Sequence, residues 1–265
     1  GFIDATSYPY RARGNGTTDD TAAIQEAVDA MNAAGGGIVW LPPTGAAYLI
    51  AGTVAVRKGV KIMGAGTFNY EGAAAPVADW TAHATWINPT STTGPCIQYV
   101  DHGSGCEGLN FIHDQPAPGP GWAPIQYGYC IHDDSVFHTS TRNIRIVNAS
   151  HGILLEGTEA SGGGTNVIVE DVIISAYNVR FRTSRLNDTL FIKNLQFRSL
   201  WNSSDADVVD YIRTNCKEWY CGYTDNPFVI GLQFFEGNGF YFEDETVQGN
   251  THSLYNSTPL AVQWN

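Results

Sequence analysis

Four carboxylates, Asp133, Asp134, Glu156 and Glu243, recur in the chain in the company of His132, His151, Arg180 and Arg182. Aligning the apolar triplets Tyr129-Cys130-Ile131, Ile153-Leu154-Leu155, Val179-Arg180-Phe181 and Phe240-Tyr241-Phe242 gives a testable pattern. If these are successive parallel strands, the residue after each triplet points outward, in a column of His132, Glu156, Arg182 and Glu243. A second column, Cys130, Leu154, Arg180 and Tyr241, runs beside it, with Asp133 and Asp134 at the edge. Equivalent residues on stacked strands lie about 4.8 Å apart. Paired carboxylates in that range suit glycoside hydrolysis, at about 5–5.5 Å for retention and wider for inversion. A neighbouring arginine can bind a substrate carboxylate, or keep one acid ionised while its partner stays protonated. The same residues also read as a ladder of opposite charges that holds neighbouring coils in register.

Aromatic side chains add a second chemistry. Trp122, Tyr127 and Tyr129 follow or end the Pro/Gly-rich loop from Gln115 to Pro124, and Trp219, Tyr220 and Tyr223 crowd a later insertion. Flat rings over a rigid β face can stack on sugars, and equally can pack loops or a subunit contact. The residues expected to bind substrate are His132, His151, Arg180, Arg182, Trp122, Tyr129 and Tyr241. Two further acidic clusters compete: Asp205, Asp207 and Asp210, as a cation-binding loop or a solvated run, and Glu243-Asp244-Glu245. His83, His102, His138 and His252 show no partner pattern.

The elements that must position these groups are legible at the start of the chain. Thr18, Asp19 and Asp20 offer N-cap oxygens and first-turn negative charge. Ile24, Ala27, Val28 and Met31 then fall on one helical face, and Gly35-Gly36-Gly37 ends the helix. Strands are expected at Ile38–Leu41, Tyr48–Ile50 and Gly59–Met63. Further on, five segments share a turn residue followed by apolar-x-apolar, headed by Gly108, Asn143, Asp171, Asn194 and Gly231. The fourth repeat is expected to place its second strand within Val208–Ile212. Intervals of roughly 20 to 40 residues suit solenoid coils carrying variable loops. An open solenoid end exposes an apolar surface and a strand edge, so the helix at Asp20–Ala34 is expected to cap it, with no second helix of similar quality following.

The composition of the 265 residues narrows the rest. With 43% hydrophobic residues, 29 Gly and 12 Pro, the chain suits one large core of short strands and turns. A net charge of −12 with no basic run argues against nucleic acid as a partner. No apolar run approaches the roughly 20 residues of a membrane span. Five cysteines without a CxxC pair argue against a zinc site, and neither a metal nor a cofactor is expected. Most of the thiols are expected buried and reduced, with a Cys96–Cys106 or Cys216–Cys221 bridge left open.

The run Gly14-Asn15-Gly16-Thr17-Thr18-Asp19-Asp20-Thr21, with Ala22-Ala23-Ile24-Gln25, Gly35-Gly36-Gly37, Leu41-Pro42-Pro43 and Gly64-Ala65-Gly66, resembles the start of the pectate-lyase-like right-handed β-helix superfamily. Phage tailspikes and depolymerases are the members it is most like. Asp133-Asp134, Ser150-His151-Gly152-Ile153 and Arg180-Phe181-Arg182 follow the order of the polygalacturonase motifs, with Ser150 where Gly is usual and Arg182 where Lys is usual. The expected fold class is therefore all-β: a right-handed parallel β-helix with an N-terminal amphipathic capping helix. It forms one domain over 1–265, with cap and first strand in 1–43 and coils in 44–265, and Leu260–Asn265 without a clear C-terminal cap leads us to expect a longer parent chain. The resemblance implies a bacterial surface polysaccharide as ligand, a homotrimer, other phage tail proteins as partners and a place in the virion tail. Paired carboxylates would then hydrolyse the glycan. A non-catalytic spike and a secreted pectin-type hydrolase are the alternatives.

Overall fold

The computed structural model describes residues 1–67, 78–134, 136–158, 160, 163–198, 205–234, 239–243, 245–247, 250–252 and 261–262. In chain order the first elements are β1 (Phe2–Asp4), α1 (Thr21–Ala33), β2 (Gly37–Leu41), β3 (Ala47–Ile50), β4 (Val54–Val56) and β5 (Val60–Gly64). Next come α2 (Ala78–His83), β6 (Thr85–Pro89), β7 (Ile97–Tyr99), β8 (Gly105–Ile112), β9 (Tyr129–Asp134), β10 (Ser140–Glu156) and β11 (Val167–Ser184). The remainder are β12 (Leu190–Phe197), α3 (Ala206–Asn215), β13 (Lys217–Cys221), β14 (Pro227–Phe234), β15 (Phe240–Phe242), β16 (Glu245–Val247), β17 (Asn250–His252) and β18 (Ala261–Val262).

Apart from the antiparallel pair β16–β17, the strands pair in parallel within one curled sheet, the arrangement of a β-helix. One column runs β1-β2-β5-β8-β10-β11-β12-β14-β18, and another runs β4-β7-β9, joins the second halves of β10 and β11, and ends in β13 and β15. Register follows the inward residues. Val39, Ile62, Cys106, Thr141, Val169, Ile192 and Val229 are successive partners, all buried. A one-residue slip would turn that whole row outward, which is why apolar stacking fixes the pairing.

The five repeated turn residues have a common cause. Gly108, Asn143, Asp171, Asn194 and Gly231 all have φ between 49° and 70°, a left-handed bend inside an otherwise extended strand. Glycine and the short polar side chains of Asn and Asp tolerate that bend best. At the start of β2 the requirement is stricter: a Cβ on Gly37 (φ 141°) would lie 2.4 Å from the Gly1 carbonyl oxygen.

Helix α1 buries Ile24, Ala27, Val28 and Met31, the face expected from their spacing, against the first strands. Its Gln25 also makes two hydrogen bonds to β4: the side chain accepts from the Ala55 N–H at 2.7 Å and donates to the Ala55 carbonyl at 3.1 Å. The expected cap by Asp20 differs. The Asp20 side chain makes no capping bond and instead accepts from the Arg13 and Gly14 amides, pinning the turn before the helix, while Asp19 accepts from the first helical amide, Thr21 N–H, at 3.0 Å.

Two more expectations are corrected. Val208–Ile212 lies in helix α3, and the strand of that coil is β13. Asp205 caps α3 by accepting from the Asp207 and Val208 amides, and Asp207 lies in its first turn, so the acidic run is a helix start rather than a loop. All five cysteines are free and buried. Among the described residues no helix is long and apolar enough to cross a membrane. Asp244 lies outside the described residues.

Candidate functional site

On the second column, Ile131, Ile153, Phe181, Trp219 and Phe240 stack inward as register partners. The residue after each faces out, so the outward row is His132, Leu154, Arg182, Tyr220 and Tyr241, preceded by Gln98 of β7. The expected row is therefore shifted: Glu156 lies two residues along, opposite Asp134 and Ser184. The physical reason is that an apolar-x-apolar triplet has two inward positions. In the coils of β9 and β11 the last of them stacks with Ile153, the first of its own triplet.

The shift still assembles a charged cluster, because long side chains reach diagonally. Glu156 lies 3.2 Å from His132 Nε2 through one oxygen and 3.9 Å from an Arg185 nitrogen through the other. The hydrogen bond from His132, followed by the charges of His132, Arg182 and Arg185, holds the Glu156 carboxyl below its usual range against the opposing effect of burial. Asp134 is exposed beside it and accepts from Gln98 Nε2 at 2.9 Å. Arg182 pairs with Glu243 at 3.3 Å and stands 4.7 Å over the Tyr220 ring. It also hydrogen-bonds Tyr129, whose phenol burial pushes up to about 12. Lys217 Nζ sits 4.4 Å from the Tyr220 centroid and 4.0 Å from that of Tyr241.

His151 lies beside this cluster, its ring 5.0 Å from Tyr129. The Tyr127 carbonyl, 2.9 Å from Nδ1, can only accept, so the proton sits on Nδ1 and Nε2 keeps its lone pair. Burial lowers the His151 pKa, so the ring stays neutral at neutral pH.

Three of the expected residues sit apart from the open face. Asp133 is 1% exposed, shares a short hydrogen bond with Thr139, and faces inward with its register partners Tyr99 and Leu155. Its pKa is pushed up to about 7, chiefly by burial. Arg180 is wholly buried and pairs with buried Glu218 at 2.8 Å. Trp122 is buried in a satellite core with Tyr177, Val208, Ile212 and Cys216, its indole N–H donating to the Pro116 carbonyl. The loop after Asp114 and helix α3 thus lock together over this side of β11.

Lys217, Arg185 and Gln98 are the cluster members that sequence reasoning missed. Tyr220 was read as an aromatic of a later insertion; it carries the same signal as Arg182, an outward residue after an inward aromatic, but its strand was expected within Val208–Ile212, the segment that forms α3. Among the described residues no group of three or more His, Cys, Asp or Glu side chains is arranged to hold a metal ion.

Comparison with known proteins gives a consistent picture. The mannuronan C5-epimerase AlgE1 of Azotobacter vinelandii is 42% identical over 69 residues, which is 24% of this chain and 5% of the epimerase. The chain thus aligns with only a small part of that relative. Among solved structures, ORF18 of Geobacillus virus E2 superposes with a TM-score of 0.58 at 14% identity, covering 90% of this chain and 49% of that one. The tailspike gp49 of Acinetobacter baumannii bacteriophage Fri1, a capsular polysaccharide depolymerase, superposes with a TM-score of 0.51 at 18% identity, covering 87% and 42%. At these identities the two structures speak for the fold. The family model described as rhamnogalacturonase A/epimerase, pectate lyase-like, matches residues 8–222, most of the chain, and the chain belongs to that family.

Proposed function

We propose that this chain binds a bacterial surface polysaccharide along the open face formed by β7, β9, β10, β11, β13 and β15, and hydrolyses it with Asp134 and Glu156 as the paired carboxylates. The observation that carries the reading is their register: the two are direct partners on neighbouring strands. One strand spacing, about 4.8 Å, suits the separation of a retaining pair. Glu156, held ionised by His132, acts as nucleophile, and Asp134, its exposed register partner, is the second carboxylate of the pair. Glu243 holds Arg182 for substrate contact, and His132 orients Glu156. Tyr129, Tyr220 and Tyr241 give the sugar rings apolar faces. Asp133 acts as a support from beneath, and Arg180 and Trp122 from the covered side next to the face.

The test is a turnover assay on capsular, lipopolysaccharide and uronate glycans. New reducing ends with retained anomeric configuration are expected. Glu156→Gln and Asp134→Asn should each lower kcat by about 10²–10⁴ with unchanged circular dichroism, as expected for loss of an acid–base group. Full activity in both variants would exclude the pair.

One observation favours a second reading, proton abstraction from a uronate. Neutral His151 with a free Nε2, Tyr129 and Arg182 lie together, which suits a base, a phenol and a carboxylate-neutralising cation. The partial likeness to a mannuronan C5-epimerase points the same way. Unsaturated products, or solvent deuterium entering the sugar without cleavage, would select it. Binding without any product would select a non-catalytic spike.

The architecture of the parent protein is part of the proposal. In this reading α1 caps a right-handed coil. The Gln25 bonds to Ala55 support it, since they satisfy a strand edge that would otherwise be open. Residues 1–265 form one β-helix domain, which acts as a homotrimer in a phage tail beside other tail proteins. A secreted pectin-type hydrolase is the alternative setting.

A further inference from the structure

A second pocket lies away from the carboxylate cluster, at the corner that leads into β2, β5, β8 and β10. It has a volume of ≈ 520 Å³ and is lined by Asn32, Lys58, His102 and His138 over the glycines Gly59 and Gly103. The corner is built by stacked turns: Gly59 N–H donates to the His102 carbonyl, Gly103 N–H to that of Phe137, and His138 N–H to that of Thr165. Lys58 and His102 thus occupy the same place on successive coils, about 4.8 Å apart. Each is followed by a glycine, so the floor carries no side chains.

The chemistry of the lining is one-sided. The Phe137 N–H donates to His102 Nδ1 at 3.1 Å, which places the His102 proton on Nε2. That nitrogen is then a donor. Phe137 also packs on the ring, with centroids 4.8 Å apart, and so orients it. Lys58 has no ion pair among the described residues, and no carboxylate lines the pocket. In a chain of net charge −12 with only 14 Lys and Arg, such a cluster stands against the overall field.

The backbone adds an independent observation. The equivalent turn positions are Gly59 (φ 66°), Gly103 (φ 73°) and His138 (φ 59°). Glycine takes this conformation freely, whereas a histidine there is strained. Strain held by a polar side chain at the rim of a pocket is a reason to look for a ligand.

We propose that this pocket is a binding site for an oxyanion group, a sulfate, phosphate or carboxylate, held by Lys58, His102 Nε2–H, His138 and the Asn32 amide. The proposal is independent of the reaction assigned to the open face. The intact chain would be titrated with sodium sulfate, and separately with inorganic phosphate, at an ionic strength fixed with chloride, following the His102 and His138 ring resonances. Saturable shifts are expected. Lys58→Ala, an exposed change that leaves the fold intact, should weaken the apparent Kd by about tenfold, the scale of one charged hydrogen bond. His138→Gly should raise Tm while weakening binding. Shifts that stay linear with concentration, or a Kd unchanged by Lys58→Ala, would overturn the site. Repeating the titration with sulfated and uronate oligosaccharides separates the sources. A glycan bound at least about tenfold more tightly than the bare ion identifies a sugar substituent as the ligand, and equal affinity identifies the free anion.

Discussion

Arg180 and Arg182 stand two residues apart on β11, and side chains at that spacing leave a strand on the same side. Arg180 is wholly buried against Glu218, whereas Arg182 and its partner Glu243 keep 30% and 36% of their side-chain surface exposed. What differs is the cover. Over Arg180 lie α3 and the loop after Asp114, joined by Trp122 packing edge-on against Tyr177 and Tyr211. Among the described residues nothing comparable closes over Arg182, and the guanidinium meets Tyr129, Tyr220 and Glu243 while keeping 30% of its side-chain surface exposed. One Arg-x-Arg string thus supplies a support and a ligand-facing cation, and the insertions above the strand decide which is which.

The sharpest way to break this comparison is to remove one partner of each pair. Glu218→Ala leaves the Arg180 charge buried without its carboxylate, and such a loss destabilises by about 3–5 kcal/mol. Urea unfolding would measure it. The double replacement Arg180→Met with Glu218→Leu should recover most of that loss, because it removes both buried charges together. A Glu218→Ala variant as stable as the parent would mean that the covered side is as wet as the open one.

The acids divide in the same way. Asp134 accepts from Gln98 at the surface, while Asp133 faces the core with a pKa pushed up to about 7 from 3.8. Because the folded-state value is the higher one, folding takes up a proton between these limits. The stability linked to Asp133 is fully present below about pH 3.8 and is lost as the pH rises through about 7. At about 1.4 kcal/mol per unit, the full span is at most on the order of 4 kcal/mol. Asp133→Asn cannot ionise and can still accept from Thr139. It should therefore be more stable than the parent at pH 8 and close to it at pH 4, with a flatter profile between.

These contrasts also mark what the sequence could reveal. The five bend residues were visible because glycine and the short Asn and Asp side chains suit φ near 50–70° best, and the backbone demand is local. The α1 face was visible because Ile24, Ala27, Val28 and Met31 repeat with the helical period. The outward row was legible only to within two residues, since Tyr129 and Ile131 are both largely apolar, lie two apart, and nothing local says which of them stacks on Ile153. Helix α3 was missed because its buried face is only two residues, Val208 and Ile212, and its partners Trp122 and Tyr177 lie far off in sequence. The fate of Arg180 followed from that miss: its cover is a tertiary fact, with no signature on β11 itself.

The smallest expected stability effect tests the open side most directly. Arg182→Ala removes a half-exposed ion pair and a cation–π contact, which together should cost about 1 kcal/mol or less, because solvent screens both. Glycan affinity should fall far more than stability does, by about tenfold or more if the guanidinium makes a charged hydrogen bond to the ligand. Arg182→Lys sharpens the point. It keeps the charge but lacks the planar fork that serves Tyr129, Tyr220 and Glu243 together, so affinity should drop while Tm hardly moves. A melt showing Arg182→Ala as damaging as Glu218→Ala would assign both arginines to packing, and the recognition surface would then have to be sought elsewhere on the coil.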